Sequence, residues 1–155
     1  MTDPASADFQ TQLNNERDAL RAFIALLEKE QQALLQQDND QLLALAEAKT
    51  QTANKLALIA NTRRQFLNTH SANLDTAAWI QKYAPACQTV WDAVRKLAEQ
   101  AHHLNQTNGE VIQLKLRSNQ QALNTLLGAT QSAAGLYGRD GQPNIPVMGR
   151  ILGSG

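Results

Sequence analysis

The chain has 155 residues, a length that suits one domain, and only 5% of them are aromatic. Its 14 basic residues balance its 14 acidic ones, so the excess of positive charge typical of a nucleic-acid-binding surface is missing. The single cysteine excludes an internal disulfide and suits a reducing compartment. No apolar run resembles a signal peptide or the ~20 residues of a membrane span. We therefore expect a cytoplasmic protein that neither binds nucleic acid nor inserts into a membrane.

Glycine and proline, which disrupt helices most strongly, are concentrated near the C-terminus. Between Ala5 and Leu127 the chain has only Pro85 and Gly109, and the other seven glycines lie from Gly128 onward. This distribution predicts an all-α fold, an antiparallel bundle or coiled coil of three long helices plus a short helix. The predicted helical body covers residues 1–128, and a flexible tail covers residues 129–155.

The first helix is predicted from Ala5 to Gln36. Four leucines fall seven residues apart, with Phe9, Phe23 and Ile24 on the intermediate turns: Leu13, Leu20, Leu27 and Leu34. This heptad pattern lets one helix lie along another, and we interpret it as bundle core rather than as a groove for a partner. Glu28 and Glu30 are interpreted as solvated helix charges.

A second helix is predicted after the break at residues 36–40, where Asp38 and Asp40 are good N-caps, and it ends near Thr69. Such a short connection makes the first two helices antiparallel neighbours. Its predicted apolar stripe, in which alanines allow close approach, comprises Leu42, Leu45, Ala46, Ala53, Leu56, Ile59, Ala60, Phe66 and Leu67.

Charge is unevenly distributed along the chain. Residues 1–50 carry nine acidic and four basic residues, whereas residues 51–155 carry five acidic and ten basic ones. This asymmetry favours antiparallel packing of the first helix against later ones, although it could also steer a partner.

A second break, at residues 70–75, ends in the capping residue Asp75 and precedes a short helix predicted from Thr76 to Tyr83. A third long helix is predicted to start at Pro85, either separately or as a kinked continuation from Thr76. Its apolar stripe runs on to Leu127. A helix longer than its partners leaves part of such a stripe uncovered, and exposed apolar stripes mark binding sites.

No residue pattern predicts catalysis, a metal site or a cofactor. His70, His102 and His103 lack the spacing of metal ligands and are interpreted as surface histidines. Cys87 has no basic neighbour in sequence and is interpreted as packing like a small apolar residue, although a nearby helix start could lower its pKa. Trp79 and Trp91 are interpreted as core anchors. The chain is therefore not expected to be an enzyme.

The segment from Leu104 to Leu116 departs from the generic pattern. Asn-Gly usually indicates a turn, yet the apolar stripe keeps helical spacing across Asn108 and Gly109. Three interpretations remain open: the helix breaks here, Asn105 and Asn108 are buried polar residues that set the packing register, or another backbone approaches Gly109 closely.

This segment, with three other stretches, resembles the FlgN-type flagellar export chaperones. The similar residues are the Asn-x-x-Asn-Gly run at 105–109, Leu-Leu-Ala-Leu-Ala-Glu-Ala-Lys at 42–49, Gln-Gln-Ala-Leu-Asn-Thr-Leu-Leu at 120–127 and Leu-Tyr-Gly-Arg-Asp-Gly-Gln at 136–142. The resemblance extends from about Phe9 to Gln142.

The resemblance implies a cytoplasmic chaperone of the type III export system that holds the C-terminal helical segments of hook–filament junction proteins. It implies further contacts with the export gate, through Leu136 and Tyr137, and with the export ATPase complex. The implied client-binding surface is the end of the last helix: Val111, Ile112, Leu116, Leu123, Leu126 and Leu127.

Two further expectations follow from these residues. Before a client binds, the exposed stripe would be covered by self-association or by the tail's own residues 145–152. A reversible binder of this kind should be a monomer or weak dimer when alone. The alternative function is a non-enzymatic coiled-coil or adaptor subunit of a permanent assembly, which should aggregate or unfold without its partners.

Overall fold

A computed structural model of the chain describes residues 4–71 and 73–136, with side chains as far as residue 131. The described residues form an all-α fold without strands, which confirms the predicted class. The elements in chain order are α1 (Pro4–Gln36), α2 (Asn39–His70), α3 (Thr76–Tyr83), a 3-10 turn (Pro85–Cys87) and α4 (Gln88–Leu136). Contacts divide the chain after Val111 into two units, so that α4 belongs to both.

Aspartate side chains start α2 and α3 where the sequence predicts. Asp38 Oδ1 accepts a hydrogen bond from the Gln41 amide at 3.1 Å, and Asp75 Oδ1 accepts one from the Ala78 amide at 2.8 Å. Each bond satisfies an amide that would otherwise lack a helical partner. The two breaks between the helices are therefore encoded locally.

The last long helix differs from its prediction at both ends. Pro85 begins a 3-10 turn rather than an α-helix, and the non-helical backbone at Ala84 separates this turn from α3. At the other end, α4 continues through Gly128 to Leu136. Each glycine costs a helix about 1 kcal/mol relative to alanine, and neither Gly128 nor Gly135 ends α4. The predicted boundary at residue 128 thus falls inside a helix, and the rest of the predicted tail, residues 145–152 included, lies outside the described residues.

In the first unit, α1 packs against α2 and α4 in opposite senses. Glu16 contacts Arg63 and Glu30 contacts Lys49, so α1 and α2 are antiparallel, as predicted. Ser6 bonds to Cys87, just before α4, and Leu27 bonds to Asn108, both across a separation of 81 residues. α1 and α4 are therefore parallel, so the expected antiparallel packing holds for α2 and is wrong for α4.

Two apolar clusters hold this unit together. In the first, the Phe9 ring lies 4.7 Å from Trp79 and 5.1 Å from Phe66, with Ile80 and Val90 buried beside them. Trp79 is buried as predicted, and the half-buried Trp91 packs against the same cluster. The second cluster joins α1 to α4, and its members are Phe23, Ile24, Leu27, Leu97, Ala101 and Leu104.

A buried ion pair connects α1, α2, α3 and α4. The Arg63 guanidinium donates to both carboxylate oxygens of Glu16, at 2.9 and 3.1 Å. It also donates to the Thr76 hydroxyl at 3.0 Å and lies 4.9 Å from the centroid of the Trp91 ring. One arginine side chain on α2 therefore contacts each of the other three helices.

A second polar cluster surrounds Glu30. Lys49 Nζ donates to its carboxylate at 3.2 and 3.4 Å. The Asn108 amide donates to Glu30 Oε1 at 3.0 Å and to the Leu27 carbonyl at 2.9 Å. The interpretation of Glu30 as a solvated charge is wrong, because Glu30 is buried. Phe9, Glu16, Phe23 and Glu30 follow one another at intervals of seven residues, so both glutamates lie on the core face of α1.

The inner face of α2 also differs from the predicted stripe. Ala46 and Ala53 are exposed. The positions that face the core alternate three and four residues apart, and they include three polar residues: Leu42, Leu45, Lys49, Thr52, Leu56, Ile59, Arg63 and Phe66. An apolar criterion omits Lys49 and Arg63, the two residues that pair with the glutamates of α1.

We expect Arg63→Met to lower the free energy of unfolding by about 3–5 kcal/mol, because it leaves the carboxylate of Glu16 buried without a counter-charge. Urea denaturation measures the loss. The exposed neighbour offers a matched control, and Arg64→Met should change stability by less than about 0.5 kcal/mol. The double variant Glu16→Leu/Arg63→Met should regain most of the loss, and an equal loss in both arginine variants would contradict the assignment.

Candidate functional site

The part of α4 in the first unit presents a heptad row to α1. Its members are spaced alternately by three and four residues and are buried or half-buried: Val90, Val94, Leu97, Ala101, Leu104, Asn108 and Val111. We call this row the first seam. It is the face through which α4 enters the core of the unit.

From Ile112 onward a second row appears, one residue out of phase with the first. Its members again alternate by four and three residues, and we call it the second seam: Ile112, Leu116, Asn119, Leu123, Leu126 and Thr130. One residue corresponds to a rotation of about 100° around a helix. The two seams therefore use different heptad positions of the sequence.

The second seam is exposed over most of its length. Only Ile112 is half-buried, and Leu127 lies beside the seam. The exposed fractions of the large apolar residues here are 62% for Leu116, 54% for Leu123, 63% for Leu126 and 48% for Leu127. Leu114 is also 62% exposed but lies on the opposite side of the helix. A contiguous row of this kind is typical of a surface that binds another helix.

Charges are sparse around the second seam. Between residues 112 and 131 the charged residues are Lys115 and Arg117, and the remaining polar side chains are Asn, Gln, Ser and Thr. The surroundings of the leucines are thus neutral to weakly basic.

The residues predicted to bind a client do not all occupy this face. Ile112, Leu116, Leu123 and Leu126 belong to the second seam, with Leu127 adjacent. Val111 belongs to the first seam and ends the first unit. The predicted set omitted Asn119 and Thr130, which only the alternating spacing identifies.

The two residues predicted to dock on the export gate fall at the limit of the structure. Leu136 is the last residue of α4, and Tyr137 lies outside the described residues.

The Asn-Gly segment is continuous helix. Asn108 is buried in the first seam with its amide bonded to α1, while Asn105 is half-buried. A Cβ added at Gly109 would meet nothing within 4 Å, so no described part of the chain approaches it closely. Of the three interpretations, the helix break is wrong.

The titratable residues singled out from the sequence do not converge. Cys87 is buried and donates a long hydrogen bond of 3.9 Å to the Ser6 carbonyl. Burial raises the pKa of this thiol, and the bond to Ser6 lowers it by less. The buried position confirms that Cys87 packs as a small apolar residue. His70, His102 and His103 are exposed. No group of three His, Cys, Asp or Glu residues in residues 4–71 and 73–136 could hold a metal ion.

The helices also lack a membrane span. Within the described part of the chain, none combines the length and the hydrophobicity needed to cross a bilayer.

The exposed leucine seam on α4 is typical of proteins that bind other proteins. The profile of the family described as FlgN protein matches residues 1–145. The chain belongs to the FlgN family, which is a family of flagellar export chaperones. Comparison with curated proteins and with solved structures found no match.

We expect Gly109→Ala to raise the free energy of unfolding by about 1 kcal/mol, because the added methyl group is unopposed and alanine favours helix. Thermal unfolding followed by circular dichroism measures the change. A destabilised variant would contradict the open space at this position.

We expect Cys87 of the folded protein to resist a thiol reagent at pH 8. The thiolate is the reactive form, and burial both blocks access and raises the pKa of the thiol. Reaction with Ellman's reagent in buffer and in urea compares the two states. Labelling of the folded chain as fast as that of the unfolded chain would contradict the buried position.

Proposed function

We propose that this flagellar export chaperone binds the C-terminal helical segments of hook–filament junction proteins along the second seam and delivers them to the type III export apparatus. The observation that carries the proposal is the exposed row of Leu116, Leu123 and Leu126. Membership of the FlgN family supports a client of flagellar origin.

The spacing of the seam suits a helical client. Leucines three and four residues apart form one stripe along a helix, and a second amphipathic helix covers such a stripe by inserting its own apolar residues between them. Each leucine buried in this way contributes about 1–2 kcal/mol, which the loss of rotational and translational freedom partly offsets.

Delivery requires contacts other than the seam. Leu136 and Tyr137, which the family resemblance matches to a gate contact, are the proposed docking residues for the export gate. Cycling with the export ATPase complex in the cytoplasm belongs to the same proposal. Because these residues follow the second seam in sequence, client binding and docking would use separate parts of the chain.

The proposal is tested by titrating the full chain with C-terminal fragments of the junction proteins in a calorimeter. Leu123→Asp places a charge in the second seam and should weaken binding by at least about tenfold. Leu114→Asp is the matched control, since it changes an equally exposed leucine on the opposite side of the same helix and should leave binding within about twofold.

The outcomes separate the two functions under consideration. Saturable binding that is lost in Leu123→Asp and kept in Leu114→Asp, with both variants folded by circular dichroism, supports the chaperone. If the folded wild-type chain binds neither junction protein, the proposal is wrong and the adaptor function is favoured. Equal losses in the two variants would remove the seam as the binding face.

A further inference from the structure

We propose that Asn119 selects the helix that binds the second seam. The partner helix must place a polar residue opposite Asn119, in a stripe that is otherwise apolar and is flanked by acidic residues. This inference rests on the proposed function, because it describes the partner of the same face. It assigns Asn119 a role in specificity, and it defines the partner as an amphipathic helix with one polar layer near the middle of its apolar row.

The position of Asn119 carries the first step. It occupies a core position of the second seam, between Leu116 and Leu123, and its side chain is exposed. Any helix that lies along the leucines also covers the Asn119 amide and removes it from water. A buried amide without a partner weakens an interaction by roughly five- to 150-fold, so the covering helix must supply a hydrogen-bonding group there.

The same helix already shows this arrangement in its other seam. Asn108 occupies a core position of the first seam, is 1% exposed, and donates to the Leu27 carbonyl at 2.9 Å and to Glu30 Oε1 at 3.0 Å. A single asparagine in an apolar seam is a known means of setting the register between two helices. Asn119 repeats the feature in a seam whose partner is another molecule.

Charge defines the flanks of the partner. Lys115 and Arg117 are the charged residues of α4 between residues 112 and 131, and acidic residues are absent from that range. An acidic helix, with glutamates beside its apolar stripe, therefore complements the net positive charge of this segment, and the attraction weakens as salt increases.

Two synthetic peptides of identical composition test the inference. Each has three heptads with glutamate at both flanks, which also prevents pairing between peptides, and six core positions occupied by five leucines and one asparagine. One peptide has asparagine at the third core position, which faces Asn119 when the helices are parallel. The other peptide has asparagine at the second core position, which faces Leu116 when the helices are parallel and Leu126 when they are antiparallel.

The full-length wild-type chain should bind the third-position peptide at least about fivefold more tightly than the second-position peptide. In Asn119→Leu this ratio should fall to about one, because the asparagine of either peptide then faces leucine. Asn124→Leu is the matched control, an exposed asparagine outside the second seam, and it should keep the wild-type ratio. Calorimetry measures the affinities, and circular dichroism verifies the fold of both variants.

The inference is overturned if the wild-type chain binds both peptides equally, if it binds neither, or if Asn119→Leu keeps the ratio. These outcomes are independent of the proposed function. If the junction-protein fragments bind but the chain binds both peptides equally, the chaperone function stands and the role of Asn119 is removed. If the chain prefers the third-position peptide but does not bind the fragments, the role of Asn119 stands and the junction proteins are removed as clients.

Discussion

The pairing of two buried glutamates on α1 with two cations on α2 is the constraint on which the first unit depends. Leucines recur every seven residues along α1, so apolar packing alone would tolerate a slip of one heptad between the helices. The charges do not tolerate it: such a slip places Leu56 or His70 opposite Glu16, and a buried carboxylate without a counter-charge is strongly unfavourable. The ion pairs thus add little net free energy relative to an apolar core, but they select one register among several that the leucines permit.

The position of α4 follows from that register. Because α1 and α2 are antiparallel, the chain leaves α2 near the beginning of α1, and the short α3 with its 3-10 turn is enough to reach the start of α4. The cluster around Phe9 and Trp79 packs this return against α1. From there α4 runs parallel to α1 until Asn108 bonds to Glu30, the same carboxylate that Lys49 neutralises. One side chain of α1 thereby relates the registers of both neighbouring helices.

The fold could be predicted from the sequence where local signals decide it. Scarce glycine and proline predicted the long helices, and Asp38 and Asp75 predicted the starts of α2 and α3. The polar core was missed because a search for apolar periodicity discards glutamate, lysine and arginine, although Glu16 and Glu30 keep the spacing of Phe9 and Phe23. The end of α4 was missed because Gly128 was treated as a break, when a single glycine costs less than the surrounding helix gains. At the candidate site the leucines were visible from composition, whereas the role of Asn119 depends on the phase change at residue 112, which an apolar stripe alone does not reveal.

The two polar clusters lie two heptads apart on α1 and equally far apart on α2. Between the two clusters, the lengths of α1 and α2 can therefore change in evolution only by equal numbers of residues. A heptad inserted in α1 alone would separate one glutamate from its cation, whereas the same insertion in α1, α2 and α4 together would preserve every pairing, including that of Asn108. Relatives of this chain are therefore expected to differ in helix length by whole heptads in this region, shared among the three long helices, while the loops and the second seam vary without that coupling.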